Sequence, residues 1–434
     1  IKPMKHLIYF VSFLWLVSCG GGDEYKDIYT SKTKWINIER NLQSRFITAK
    51  PGDTIHLEAG YYWFTKSLII DHKMDFVFSG AGTDKTILSF KEQEEGAEGI
   101  KISNCQNIKI KDMTILDANG DNIKAVNTNG IHFSKIKVDW TGGAKETNGA
   151  YGLYPVLCKN VLIEDCISAR ASDAGIYVGQ SDSVIIRNNV VYENVAGIES
   201  ENSRFVDIYN NHTYHNTGGI LVFDLPGLTQ YGRHTRVFNN KILDNNHKNF
   251  APKGNIVGMV PPGTGIMLLS TREIEIFGNE IKDNRTSGTA IISYELVLAM
   301  EKDKKKETDS NAAAHNRKYE IDTLYNPYPD HIHIHHNSIE NKHWFPDIGN
   351  DFGKLLVWKF PFSTPDILFD GFVREADKNI QMCIDQSGVS FADLNAPGNL
   401  ENMKTDIKAY LCKSNALSPA TVTLGNIVVS TAIN

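Results

Sequence analysis

Side chains that can transfer protons fall into neighbouring columns when the chain is aligned on the glycines at positions 130, 152, 175 and 197. Tyrosine, histidine, lysine and carboxylates are the usual general acids and bases of proteins. If the aligned segments are adjacent strands, about 4.8 Å apart, these columns form one patch. We predict that Tyr151, Lys135, His132 and Tyr154 are the proton-transferring side chains of this patch, and that Tyr177, Glu199, Glu201 and Gln180 contact the substrate beside them.

Three carboxylates in the same region offer the oxygen ligands that calcium prefers. Glu199 and Glu201 lie on one face of a predicted strand, and Asp173 comes just before the previous strand. These residues are the candidate Ca²⁺ ligands, and Ca²⁺ is the one cofactor that the sequence suggests. The alternative is that the glutamates are simply solvated on an exposed strand.

Three histidines, His331, His333 and His335, alternate along one predicted strand. Imidazoles are common zinc ligands, but successive residues on one strand face are about 6.6 Å apart, which is long for a shared tetrahedral ion. We therefore expect an exposed polar face here instead of a zinc site.

The elements that position these side chains follow from a regular repeat. Gly-Ile pairs begin at positions 175, 197 and 219, and the asparagines at 188, 189 and 194 recur at 210, 211 and 216. Asparagine tolerates the left-handed backbone of tight corners, and stacked amides can bond to one another. Several of the 38 asparagines of the chain, which outnumber its 34 glycines, are therefore predicted corner residues of the repeat.

Short strands inside each repeat are apolar on one face. In segments such as Val161–Glu164, Val184–Arg187 and Val206–Tyr209 the first and third residues are apolar, and the charged residues Glu164, Arg187 and Asp207 fall on the other face. A one-sided strand at a fixed period indicates a coil in which each turn bonds to the next. We predict an all-β fold, a right-handed parallel β-helix whose turns have the length of this repeat.

The predicted coil covers residues 36–343, with insertions at about 224–263 and 296–330. Residues 36–48 form an N-terminal helical cap, and residues 344–434 form a C-terminal cap region. The segment from Ala49 to Tyr61, followed by Ser79–Gly82, resembles the opening of pectin-lyase-like β-helix proteins. Residues 50–343 also resemble the exported parallel β-helix repeat proteins of bacteria, many of which are lipoproteins.

The turn Tyr151-Gly-Leu-Tyr154-Pro-Val156 is similar to the Tyr-Gly-x-Asp-Pro-His strand of mannuronan C5-epimerases. Tyr154 and Val156 stand where that family has Asp and His. The resemblance implies proton removal at C5 of a uronic acid, with Tyr151 as acid or base. It also implies a partner from the preceding turn, for which Lys135 and His132 are the candidates.

The N-terminus resembles a bacterial lipoprotein export signal. A basic start at residues 4–6 precedes an apolar run from Leu7 to Val17, which is too short to span a bilayer. The run ends at Leu16-Val-Ser-Cys19, which resembles a lipobox. This resemblance implies a signal peptide at 1–18, lipidation of Cys19, a tether at 19–35 and a location on the bacterial outer membrane, facing outward.

The cysteines predict one disulfide, and the net charge bears on the kind of partner. Of six cysteines, Cys383 and Cys412 both lie in the C-terminal region and are the predicted disulfide, whereas Cys105, Cys158 and Cys166 are expected to be buried thiols. A net charge of −6 argues against nucleic acid as a partner.

These patterns lead to two hypotheses of different classes. The first is a surface lipoprotein that binds and processes an acidic, uronate-containing polysaccharide by lyase or C5-epimerase chemistry. The second is a non-catalytic carbohydrate-binding or scaffold lipoprotein that acts with an exported partner protein. An open cleft beside Tyr151 favours the enzyme, and a loop-filled surface favours the scaffold.

Overall fold

The computed structural model describes residues 28–30, 33–304, 322–349, 351–360, 362–374 and 381–431. Residues 35–434 make up one compact unit, and the description below concerns this unit. The predicted signal peptide and Cys19 lie outside the described residues. In the described part of the chain, no helix combines the length and the apolar character required to cross a membrane.

Each complete turn of the coil contains three short strands. In one turn, for example, β14 (Ala174–Gly179), β15 (Asp182–Arg187) and β16 (Val190–Tyr192) follow one another, and each pairs in parallel with its counterpart in the next turn. The inward residues of the middle strand stack into a buried column: Ile131, Val161, Val184, Val206, Thr235, Ile274, Ile332 and Met382. The core therefore runs along the axis of the coil.

Two long sheets make up the coil. Sheet A has 20 strands, two from most turns. Its bounds are β1 Trp35–Asn37, β2 Thr54–His56, β3 Gly60–Trp63, β5 Met74–Ser79, β6 Thr86–Ser89, β8 Gln106–Leu116, β10 Asn129–Asp139, β12 Lys159–Glu164, β13 Ile167–Ala169, β15, β16, β18 Arg204–Tyr209, β19 His212–Tyr214, β21 Arg233–Phe238, β22 Lys241–Leu243, β24 Arg272–Phe277, β25 Glu280–Lys282, β27 Asp330–His335, β28 Ser338–Glu340 and β30 Met382–Asp385.

Sheet B has 11 strands and forms the remaining face. Its bounds are β4 Lys66–Asp71, β7 Glu95–Ser103, β9 Ile123–Val126, β11 Tyr151–Val156, β14, β17 Ala196–Glu201, β20 Gly218–Phe223, β23 Thr264–Leu269, β26 Ser287–Ile292, β29 Ile367–Phe369 and β31 Phe391–Asp393. An antiparallel hairpin of β32 (Thr421–Leu424) and β33 (Ile427–Ser430) packs on the outside of sheet A.

Helices lie at the start of the coil and in its excursions. Helix α1 (Glu39–Thr48) packs Leu42 and Phe46 into the core at the first turns, in the region of the predicted N-terminal cap. Helix α2 (Tyr294–Lys304) follows β26, and α3 (Asp351–Lys359) precedes β29. Short 3₁₀ turns occupy Ile256–Met259, Ala396–Gly398 and Ile407–Tyr410.

The coil continues beyond residue 343, where the sequence predicts a separate cap region. β29 pairs with β26, β31 pairs with β29, and β30 pairs with β27, all in parallel. Cys383 on β30 forms the predicted disulfide with Cys412. Cys105, Cys158 and Cys166 are buried free thiols, as expected.

Buried asparagines form two ladders along the corners of the coil. In the ladder of Asn189, Asn211, Asn240, Asn279 and Asn337, each amide nitrogen donates to the side-chain carbonyl of the next member at 2.9–3.0 Å. Asn194, Asn216, Asn245 and Asn284 repeat the pattern at a second corner. The exposed residue before the ladder has the left-handed backbone expected of it, as at Asn188 (φ 57°) and Asn210 (φ 55°).

Asn211 offers a direct test of these ladders. Its buried amide makes four hydrogen bonds, two from Asn189 and one each to Ile186 and Asn240. We expect Asn211→Ala to lower the free energy of unfolding by about 2–4 kcal/mol, because unpaired buried groups are left behind. Asn210→Gly, at the neighbouring exposed corner, should change it by less than about 0.5 kcal/mol. Equal effects of the two changes in urea unfolding would argue against a structural role for the ladder.

Candidate functional site

One outward column of sheet B carries most of the predicted site. Register pairs Lys124 with Tyr154 and Tyr177 with Glu199, and the pairing of β11 with β14 sets Tyr154 beside Tyr177. The next outward position contains Glu201, which is paired with Gly179. Because parallel strands stack in register, residues from four turns become neighbours.

Three tyrosines pack together at the centre of this column. The ring of Tyr151 lies 4.5 Å from the rings of both Tyr154 and Tyr177, and those two rings are 4.9 Å apart and nearly perpendicular. Lys124 places its ammonium 4.6 Å from the centre of the Tyr154 ring. Tyr177 is buried, whereas Tyr151, Tyr154 and Lys124 are partly exposed. The solvent-facing part of the cluster is therefore aromatic with one cation.

Buried carboxyl groups lie against the tyrosines. Asp173, Glu199 and Glu201 are all buried. The Tyr151 hydroxyl donates to Asp173 at 3.4 Å, and the Tyr177 hydroxyl donates to Glu201 at 2.7 Å. One oxygen each of Asp173 and Glu199 is buried and has no hydrogen-bond partner among the described residues. We call these six residues, Tyr151, Tyr154, Asp173, Tyr177, Glu199 and Glu201, the tyrosine–carboxyl cluster.

Burial sets the protonation of this cluster. It raises the pKa of Asp173 to about 7, with the negative charge of Glu201 as the second cause. Burial, with Asp173 and Glu201 beside it, raises the pKa of Glu199 well above its usual range. The pKa of the Tyr151 hydroxyl is also raised well above its usual value, chiefly by burial. The cluster thus holds protons at neutral pH that ordinary carboxyl groups have lost.

The insertions cover part of this face. Within the second part of the 224–263 insertion, Asn255 donates to Asp173 at 3.1 Å, and Val257 and Val260 belong to the same apolar cluster as Tyr177. In its first part, Thr229 donates to Gln180 at 3.0 Å, so the predicted substrate ligand Gln180 anchors a loop. The site is thus a loop-bordered surface and not a fully open groove.

Two predicted catalytic residues are not in the cluster. His132 and Lys135 both belong to β10 of sheet A, whereas Tyr151 is on sheet B. His132 pairs with Glu164 at 2.8 Å, and Lys135 is exposed at a left-handed corner (φ 52°). The expectation that they share a patch with Tyr151 was wrong, because aligning the chain on Gly130 matched a strand of one sheet with strands of the other.

The sequence alignment missed three residues of the site. Lys124 is the lysine beside Tyr154, in the position predicted for Lys135. The loop between β10 and β11 lengthens the turn between Lys124 and Tyr154. Asp121, whose pKa burial raises to about 6, lies 3.6 Å from Lys124. Asp224 directly follows β20, and burial, with the negative charge of Glu201 as a further cause, raises its pKa to about 8. The alternating segment of β9 is the signal that could have revealed Lys124.

The structure does not gather the predicted calcium ligands tightly. Asp173, Glu199 and Glu201 share the cluster, but among the described residues they are not a group whose donor atoms all lie within 4.8 Å of one another. Within the described part of the chain, one group of three potential ligands has its donor atoms all within 4.8 Å of one another, and it consists of Glu275, His333 and His335.

Two hollows border the 246–263 loop. A small apolar cavity lies beside the column, beyond Glu199, and its lining includes Phe223, Val260, Met267 and Leu269. On the other side of the loop, a cleft of about 900 Å³ contains the cations Lys248 and Arg285 together with His343, Trp344 and Phe345. The exposed indole of Trp344 borders this cleft.

The profile of the right-handed beta helix region matches residues 55–228 and 146–298, which together span more than half of the chain. The chain belongs to the right-handed beta helix family. The predicted right-handed parallel β-helix is thereby confirmed. No curated protein matches the sequence significantly.

Solved structures resemble this β-helix protein in fold. The A-module of the Azotobacter vinelandii mannuronan C-5 epimerase AlgE6 is 13% identical with a TM-score of 0.46, and the match covers 80% of this chain and 88% of that one. The Yersinia enterocolitica family 28 exopolygalacturonase is 9% identical with a TM-score of 0.47, over 84% and 78% of the two chains. At these identities the similarity concerns the fold.

The raised pKa of Asp173 makes the stability of this β-helix depend on pH. Because the pKa of Asp173 is higher in the folded state, its protonated form contributes fully to the free energy of unfolding below about pH 4. That contribution is lost as the pH rises through about 7. We expect Asp173→Asn to remove this loss of stability at higher pH, because an asparagine side chain has no proton to release. Relative to the wild type, the variant should gain roughly 1–3 kcal/mol in free energy of unfolding between about pH 5 and pH 8.

Asp165→Asn is the matched control, because Asp165 is exposed at a corner of the coil. Its urea unfolding should keep the pH dependence of the wild type. If Asp173→Asn also keeps that dependence, Asp173 is not held protonated by burial.

Proposed function

We propose that this β-helix protein binds and processes a polysaccharide by general acid–base chemistry at the tyrosine–carboxyl cluster. The observation that carries the proposal is the pairing of the Tyr151 hydroxyl with Asp173, whose pKa of about 7 lets it hold or release a proton near neutral pH. A group with a pKa near the working pH is an effective proton-transfer catalyst.

The cluster contains two proton-carrying pairs side by side. Tyr151 pairs with Asp173, and Tyr177 pairs with Glu201, while the two rings are 4.5 Å apart. Lyase and epimerase reactions at a uronic acid remove one proton and need an acid and a base close together. Tyr151, which is partly exposed, is the group placed to exchange a proton with substrate, and Asp173 behind it accepts or returns that proton.

Lys124 and Tyr154 support an acidic sugar as the substrate. Tyr154 is a partly exposed aromatic side chain that could contact a sugar, and the ammonium of Lys124 lies over its ring, 4.6 Å from the ring centre. A uronate carboxylate needs a cation to neutralise the charge that develops when the C5 proton leaves. Lys124 already pairs at 3.6–3.8 Å with Asp121 and Glu98, so it would be shared between these carboxylates and the sugar.

The remaining parts of the proposal concern location. A lipid on Cys19 would anchor the β-helix to the outer surface of the bacterial outer membrane, where extracellular polysaccharide is accessible. The anchor would need the tether of residues 19–35 to hold the coil away from the lipid.

A second candidate function is polysaccharide binding without catalysis, alone or with an exported partner. The observation that favours it is the 246–263 loop, which packs against the cluster and contributes to the cleft beside Trp344. Arg285, Lys248 and the exposed indole of Trp344 provide charge and a stacking surface for an anionic glycan.

Single substitutions separate the two functions. We expect Tyr151→Phe and Asp173→Asn each to lower turnover of a uronate polymer by about 10²-fold or more, because the proton-transfer pair is broken. Turnover is measured as formation of unsaturated uronate or as C5 hydrogen exchange, across a panel of alginate and pectic polymers. Lys135→Ala on sheet A is the control and should retain full turnover.

Binding of the same polymers is measured in parallel. If neither reaction occurs while Trp344→Ala weakens binding and Tyr151→Phe does not, the enzyme proposal fails and the binding function stands. If Lys135→Ala is as damaging as Tyr151→Phe, the assignment of the site to sheet B is wrong.

A further inference from the structure

A histidine pair on the outer face of sheet A is largely buried, contrary to the exposed face expected from the sequence. His333 is only 8% exposed, and its ring stacks on that of His335 with 4.2 Å between centroids. His331, on the same strand, is exposed and pairs with Asp330. The expected spacing of about 6.6 Å between same-face residues was misleading, because the two rings tilt towards each other and the adjoining strand adds a further side chain.

Glu275, on the adjoining strand β24, lies next to both histidines. It pairs with His333 in the register of β24 and β27, and it is 1% exposed. Its Oε1 lies 3.1 Å from His335 Nε2 and 3.8 Å from His333 Nδ1. Neither ring nitrogen of His333 has a hydrogen-bond partner among the described residues. Leaving a buried polar atom without a hydrogen bond is energetically unfavourable.

We propose that Glu275, His333 and His335 form a binding site for a divalent transition-metal ion, best matched by Zn²⁺. Two imidazoles and one carboxylate are a known zinc ligand set, with water in the fourth position. Bonds of about 2.0–2.2 Å to a tetrahedral ion place ligand atoms roughly 3.3–3.6 Å apart. The observed separations of 3.1 and 3.8 Å bracket this spacing. A bound ion also gives the unpartnered His333 ring its missing partner.

The site would fasten the C-terminal segment to the coil. The second oxygen of Glu275 accepts the backbone N–H of Leu417 at 3.0 Å, and the adjacent Ser418 bonds to His234. This segment leads into the β32–β33 hairpin that packs on sheet A. In the next strand, Cys383 lies in register with His333 and carries the disulfide to Cys412. The ion would therefore act beside the disulfide as a second cross-link, on a different sheet from the tyrosine–carboxyl cluster.

The test uses untagged protein that has been treated with chelator and then incubated with ZnCl₂ and desalted. We expect about one zinc per chain by elemental analysis, a rise in Tm of about 2–5 °C at saturating zinc, and the visible absorption of four-coordinate Co²⁺ after cobalt substitution. His333→Ala, His335→Ala and Glu275→Gln should each remove most of the bound metal and the Tm rise. His331→Ala, the exposed neighbour on β27, should retain both.

Folding of each variant is checked by circular dichroism in the absence of metal, and Glu275→Gln, which preserves side-chain shape, guards against loss of the fold. Wild-type protein that retains almost no zinc after desalting would overturn the proposal. The proposal would equally fail if well-folded His333→Ala and His335→Ala retained as much zinc as His331→Ala. Neither result depends on whether the protein processes polysaccharide.

Discussion

The structure depends on one requirement, that the buried backbone N–H and C=O groups of each turn must be paired by the next turn. In a coil this pairing leaves no freedom of register, so residues one repeat apart are held about 4.8 Å apart along the whole axis. The inward columns become a continuous apolar core, and the asparagine ladders satisfy the corners where strand pairing stops. Every outward side chain is consequently positioned by its turn number and its place within the repeat.

The same stacking brings like groups together on the outside of the coil. On sheet B it sets tyrosines and carboxyl groups of successive turns against one another, and the 246–263 loop covers part of them, with Asn255 bonded to Asp173. Burial of carboxyl groups without cations is unfavourable for the charged form, and the raised pKa of Asp173 and Glu199 follows from that cost. Protonated carboxyl groups near neutral pH are therefore a product of the architecture, and they are also what acid–base chemistry on a sugar requires.

The fold and part of the site could be predicted from the sequence, because the repeat has a strict period. Tyr177 and Glu199 are one repeat apart, and the repeat predicts that they are neighbours. Prediction failed where the period breaks: the loop before Tyr151 hides Lys124, and the left-handed Gly130 was matched to the wrong sheet. The buried histidine pair was misjudged for a different reason: the spacing of about 6.6 Å along a strand was taken to hold for the side chains, whereas the rings of His333 and His335 lie 4.2 Å apart beside Glu275 of the adjoining strand.

Binding of polysaccharide on sheet B, at the tyrosine–carboxyl cluster, can be observed in a crystal structure of the protein with an oligosaccharide of whichever polymer it binds. We expect a sugar ring against Tyr154, with an acidic group near Lys124 and a ring hydrogen or oxygen within reach of the Tyr151 hydroxyl. A sugar bound only in the cleft beside Trp344, with the 246–263 loop closed over an unchanged cluster, would refute the assignment of the site to sheet B.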